Sequence, residues 1–250
     1  MLLHVDEPPV FEVLNETAPS PFLLTADHAG RTIPRTLGDL GVSAAELQRH
    51  IAWDIGIGGV TRKLSALLNA TAILQTYSRL VIDCNRTPTL PCAYPCVSET
   101  TRIPGNEALQ DADKKARQQA IFDPYHNEII RLINQRPRTI YVAMHSMTDQ
   151  YKGVHRPMHT ALLYDKNARL SKHLAALLRA EPGLVVAENE PYQAGDGTDY
   201  GVPVHAEARG LDYLEIEIRQ DLIGDEQGQT EWAHRFARLL PQALQRLDET

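Results

Sequence analysis

Strand-sized apolar runs recur at 22–26, 71–77, 139–146, 159–164 and 183–188. Between several of them lie stretches whose apolar residues repeat at helical spacing. Parallel strands cannot be joined by a tight turn, so a chain that alternates in this way lays its helices over the faces of a sheet. The predicted fold class is α/β, a three-layer α/β/α arrangement with a central mixed sheet. At 250 residues the pattern fits a single domain, 1–250.

The residues up to Ser20 are rich in proline and acidic groups and read as an approach segment to a first strand at Phe22–Ala26. Ser43-Ala-Ala-Glu46 fits a capping box and predicts a short helix running toward His50. A longer helix is expected over Gly58–Asn69, a strand over Thr71–Tyr77 and an extended segment over Leu80–Cys84. Arg86–Pro104 holds several prolines and reads as a long irregular loop bordering a site. Glu107–Asn134 has helical spacing, with Ile121, Tyr125, Ile129 and Leu132 on one face. A helix at Leu170–Arg179 and a buried strand at Gly183–Glu188 follow. Asp212–Arg219 alternates with period two, and an amphipathic helix over Thr230–Leu247 closes the chain.

A net charge of −7, from 25 basic and 32 acidic residues, argues against a nucleic-acid or anionic-membrane surface. The apolar runs are too short to span a bilayer, and the start Met1-Leu-Leu-His-Val-Asp-Glu7 has neither the basic residues nor the long apolar core of a secretory leader. With three cysteines, Cys84, Cys92 and Cys96, a disulfide framework is not expected and a cytoplasmic location is. Cys92-x3-Cys96 lacks a second pair and reads as incidental thiols rather than a zinc site.

Two of the strands end in histidine. Thr139-Ile-Tyr-Val-Ala-Met-His145 and Pro21-Phe-Leu-Leu-Thr-Ala-Asp-His28 both carry an apolar run into a side chain that can bind a metal or move a proton. In α/β sheets such groups gather beyond the carboxyl ends of the strands, which points to one shared site. His28, Asp54 and His145 are the candidate ligands, since a catalytic zinc uses three nitrogen or oxygen donors and keeps one position open. Each also has a bland reading: His28 as a turn cap, Asp54 as a helix N-cap, His145 as a satisfied core histidine. In Asp212–Arg219, Glu215, Glu217 and Arg219 share one face, either a solvated edge or a buried charged row, and Glu217 is the preferred general base. Arg79, Asn85 and Arg86 suit a small acidic molecule, unless the arginines are paired with Asp83. Gly56-Ile-Gly-Gly59 lacks the lysine of a phosphate loop, and Ser146 lacks a nucleophile elbow.

With these residues in view, the chain resembles the N-formylglutamate amidohydrolase family. The resemblance is carried by Asp27-His-Ala-Gly-Arg-Thr-Ile-Pro34, Trp53-Asp-Ile-Gly56, Ser78-Arg-Leu-Val-Ile-Asp-Cys-Asn-Arg-Thr-Pro88, Met144-His-Ser-Met147, Asn189-Glu-Pro-Tyr192 and Glu215-Ile-Glu-Ile-Arg219. It implies a phosphorylase/hydrolase-like fold of the kind found in zinc carboxypeptidases, and hydrolysis of a linear amide, N-formyl-L-glutamate to formate and glutamate. By position it implies zinc, or another divalent metal, on His28, Asp54 and His145, and Glu217 as acid/base. It also implies Arg79, Asn85 and Arg86 as substrate-carboxylate residues; Arg79 is further expected in catalysis, and Ser146 and Arg219 at the substrate. Arg31 stands where the carboxypeptidases carry their acidic ligand, which leaves that role to Asp54. Two other functions fit the same residues: a zinc carboxypeptidase or amidase on peptides, and a noncatalytic binding protein for acidic metabolites.

Overall fold

The computed structural model describes residues 2–192, 194–195, 197 and 199–249. Its strands are β1 (Phe11–Leu14), β2 (Phe22–Ala26), β3 (Thr71–Gln75), β4 (Val97–Ser98), β5 (Thr101–Arg102), β6 (Ile140–Met147), β7 (Gln150–Tyr151), β8 (Val154–His155), β9 (Thr160–Leu163), β10 (Val186–Glu188) and β11 (Asp212–Arg219). The α-helices are α1 (Ile57–Leu68), α2 (Asp111–Arg117), α3 (Asp123–Asn134), α4 (Arg169–Arg179) and α5 (Glu226–Asp248). A seven-stranded sheet has the order β1-β3-β2-β6-β11-β9-β10. Strands β3, β2, β6 and β11 are parallel to one another, whereas β1 and β9 run antiparallel to β3 and β11, so the sheet is mixed, as expected.

Strand alternation divides the core into two layers. Leu24, Val142 and Ile216 pack with Val60 of α1, Leu174 of α4 and Phe236 of α5 on one face. Leu23, Tyr141 and Tyr213 pack with Ile121, and with Tyr125, Ile129 and Leu132 of α3, on the other. Each such side chain contributes about 1.5–3 kcal/mol on burial. The same parity places the chemistry. Because Leu214, Ile216 and Ile218 take the α1/α4/α5 face, Glu215 and Glu217 must face the opposite way. Glu217 there stands in register with His145 of β6.

From β2 the chain passes through α1 to β3 on one side, then returns through α2 and α3 to β6 on the other side of β2. The direction of winding therefore reverses between β2 and β6, and the crevice beyond their carboxyl ends is where an α/β sheet receives ligands. His28 follows β2 and His145 lies near the end of β6, so the two flank that crevice.

The structure departs from expectation in several places, for identifiable reasons. The approach segment contains β1, which covers the edge of β3. Leu80–Cys84 is buried but forms turns rather than a strand. Its carbonyls are met by side chains: Arg117 Nη1 donates to Val81 O (2.9 Å) and Asn106 Nδ2 to Leu80 O (2.8 Å). Ser43 Oγ accepts from the Glu46 amide at 3.3 Å, but only the 3-10 turn Glu46–Gln48 follows. The long helix begins at Asp111 and opens into a π-turn at Gln118–Phe122, just before Pro124, whose missing N–H breaks the ladder. Within Arg86–Pro104, β4 pairs with β5 of a short hairpin. The strand expected at Gly183–Glu188 is shorter and half-buried, because β10 lies at the sheet edge. Among the described residues, no helix is long and apolar enough to cross a membrane.

Candidate active site

The Asp54 amide donates to the His28 carbonyl (2.8 Å), which ties the loop after β2 to the loop that enters α1. That helix starts only at Ile57. Its N-cap position is Gly56, at φ 81°, where a Cβ would stand 2.1 Å from the Ile223 carbonyl oxygen. Asp54 thus does not cap the helix, and its side chain is free to face the histidines. His28 Nδ1 lies 3.6 Å from Asp54 Oδ1, and His145 Nδ1 lies 3.1 Å from Asp54 Oδ2. All three residues are buried, and their ligating atoms fall within 4.8 Å of one another.

Two ligands on one tetrahedral zinc, each bound at about 2.0–2.2 Å, stand roughly 3.4 Å apart, close to both separations. His28 Nδ1 is also buried without a hydrogen-bond partner among the described residues. The donor set and its spacing fit a divalent cation. Burial opposes charge on Asp54, yet His28 and His145 beside it hold its carboxyl well below the usual range.

Asp83, considered above only as an ion-pair partner, has a larger part. Its Oδ1 lies 2.7 Å from His28 Nε2, an arrangement that puts the ring proton on Nε2 and turns the Nδ1 lone pair toward Asp54. Asp83 is buried too, and Arg79 and His28 keep it ionised against that cost. Orienting carboxylates of this type are worth about 10–100-fold in metal affinity. Asp83→Asn is therefore expected to weaken zinc binding by that factor in a chelator competition; unchanged affinity would remove Asp83 from the site.

Glu215 and Glu217 are 5 % and 6 % exposed, which rules out the solvated-edge reading. Burial pushes Glu217 up to about 8 and Glu215 up to about 7, opposed in both by His145. Glu217 Oε2 has no hydrogen-bond partner among the described residues. Arg79 donates from Nε (3.1 Å) and Nη2 (2.7 Å) to Asp83 Oδ2, and its Nη1 is 3.5 Å from Asp54 Oδ1. Arg86 pairs with Asp199. Asn85 Oδ1 accepts from the Gly201 amide at 2.9 Å, pinning the loop before β11.

A cavity of about 310 Å³ gathers His28, Asp54, Arg79, Asn85, Arg86, His145, Ser146, Glu215 and Glu217. Arg219, expected at the substrate, lies elsewhere: its guanidinium bonds Asp221 (2.7 Å) and the Arg156 carbonyl (3.1 Å). Ser146 Oγ donates to the Ile55 carbonyl (2.9 Å), as befits a structural hydroxyl rather than a nucleophile. Cys92 and Cys96 are not part of the metal-competent group. Tyr192 and Asp199 also line the cavity. They sit in the polar stretch between β10 and β11, where no periodicity marks them, although Tyr192 closes the Asn189–Tyr192 block.

The model of the N-formylglutamate amidohydrolase family matches residues 20–224. A gene product of Agrobacterium tumefaciens of known structure is 36% identical, with a TM-score of 0.95 over 99% of this chain and 100% of that one. The N-formylglutamate amidohydrolase of Ralstonia eutropha JMP134 has the same fold at 19% identity, with a TM-score of 0.68 over 96% of this chain and 98% of that one. No curated protein matches the sequence. With the family model covering most of the chain, including the strand ends that carry His28, His145 and Glu217, the chain belongs to the N-formylglutamate amidohydrolase family, hydrolases of carbon–nitrogen bonds outside peptides.

Proposed function

We propose that the protein hydrolyses the linear amide of a small acidic N-formyl or N-acyl amino acid, with N-formyl-L-glutamate, giving formate and L-glutamate, as the expected substrate. The observation that carries this reading is the buried His28–Asp54–His145 group with Glu217 in register beside it. His28, Asp54 and His145 would hold a zinc ion, which would supply Lewis acidity and lower the pKa of a water molecule. Glu217 takes the proton of the attacking water and returns it to the departing nitrogen. Burial raises the Glu217 carboxyl above its usual range, which makes it a stronger base for this transfer. Arg79, a quarter exposed at the cavity wall, offers its guanidinium to the negative charge that develops on the carbonyl oxygen. Asn85 and Arg86, which line the same cavity, grip the substrate.

The noncatalytic alternative has no use for two carboxyls kept buried in the wall of a binding cleft. Formate release from N-formyl-L-glutamate tests the proposal. Zinc-loaded protein is expected to release formate, chelated protein to fall to background, and added zinc to restore the rate. A folded, zinc-loaded protein that leaves N-formyl-L-glutamate and its N-acetyl homologue intact refutes the proposal.

A further inference from the structure

Next to the cavity lies a second chamber of about 670 Å³, with which it shares Arg79, Pro191 and Tyr192. Its outer wall includes Tyr151, Lys152 and Val154 of the β7–β8 hairpin and Ser98 and Glu99 of the β4–β5 hairpin. The two hairpins are joined where Glu99 accepts from the Lys152 amide (3.2 Å), and Glu99 is itself paired with Arg49.

Arg156 lies in this wall and is 7 % exposed. Its guanidinium is sandwiched between the rings of Tyr151 (5.2 Å) and Tyr192 (4.9 Å). Nη1 donates to Tyr192 Oη (2.9 Å) and reaches the Thr148 carbonyl (3.4 Å). Nε and Nη2 make no hydrogen bond, and no carboxylate pairs with the group, among the described residues. The two arginines of the inner cavity differ in this respect, since Arg79 is paired with Asp83 and Arg86 with Asp199.

Burying a guanidinium without a counter-charge is costly, and the two aromatic faces recover only part of that cost. The fork is nonetheless held firmly. Arg219 Nη1 donates to the Arg156 carbonyl (3.1 Å), and the Arg156 amide donates to Asp149 O (2.8 Å). A cation clasped on both faces, with donors free toward a chamber that shares Arg79, Pro191 and Tyr192 with the active-site cavity, is a seat for an anion. We infer that Arg156 holds a carboxylate of the substrate. The substrate class is then an N-acyl amino acid with a carboxylate remote from the scissile amide, in the outer chamber. Arg219 acts through Arg156, as a positioning residue. The inference rests on the amidohydrolase reading for the substrate's identity, but the anion seat can be measured without turnover.

The experiment is calorimetric titration of the zinc-loaded protein with glutarate, a dicarboxylate with no amide to cleave. Arg156→Gln is expected to weaken glutarate binding roughly 30-fold or more, the scale of losing a charge-assisted, bidentate contact. Lys152→Glu, exposed at the hairpin tip on the chamber's rim, is expected to weaken it about threefold at low salt and less at high salt. The inference is overturned by wild-type glutarate affinity in a folded Arg156→Gln protein, or by the absence of saturable binding to the wild type. If Arg156→Gln does not fold, Lys152→Glu decides, and unchanged affinity at low salt overturns the inference. Loss of glutarate binding in Arg156→Gln, from a wild type that releases no formate, would instead leave the anion seat standing and discard the proposed function.

Discussion

Glu217→Gln is expected to retain zinc and to lower kcat by about 10²–10⁴-fold, the usual worth of a positioned acid–base group. The amide is nearly isosteric with the carboxyl, and the carboxyl is buried and, among the described residues, without a partner at Oε2, so the substitution removes a proton carrier while leaving packing in place. KM should change little, because the proton moves only on the way to the transition state. Metal content and steady-state kinetics on the same preparation check this. A variant with wild-type kcat would transfer the role to Glu215, the other buried carboxyl on that face.

His145→Ala is expected to abolish both metal binding and turnover. It removes one of three donors and leaves Asp54, whose carboxyl the two histidines hold ionised, with His28 alone. Thermal melting gives a readout independent of activity. A ligand at 100 times its Kd stabilises a native protein by about 2.7 kcal/mol, and for a chain of this size each kcal/mol moves Tm by roughly 2–4 °C. Zinc should therefore raise the melting temperature of the wild type by about 5–10 °C and leave that of His145→Ala unmoved. Stoichiometric zinc in the variant would dismiss His145 as a ligand.

The strand ends were legible because two independent signals coincide there. An apolar run of strand length reports burial, and a histidine that interrupts it reports a group kept for another purpose. The same logic separated Glu215 and Glu217 from Ile216 and Ile218, since strand parity needs no tertiary information. Asp83 could be read as an ion-pair partner but not as the residue that orients His28, because that contact spans 55 positions and arises only when the turn at Leu80–Cys84 folds under the site. Arg219 was misplaced for a related reason. Parity set its face correctly, but a long flexible side chain at a strand end takes its direction from the following residues, here Asp221. Arg156 gave no signal at all, since one arginine in a polar loop looks solvated until the tyrosines on either side are brought together.

The pairing of β6 with β11 has one more consequence. Glu217 and His145 are neighbours across a parallel ladder, so their separation is set by backbone hydrogen bonds deep in the sheet. The walls of the second chamber come in part from hairpins at the periphery. On the proposed function, bond cleavage and choice of substrate would thereby fall to mechanically separate parts. Exchanging the 148–156 hairpin between relatives should yield enzymes with altered preferences and intact hydrolytic machinery, a modularity by which one catalytic frame can diversify by loop replacement alone.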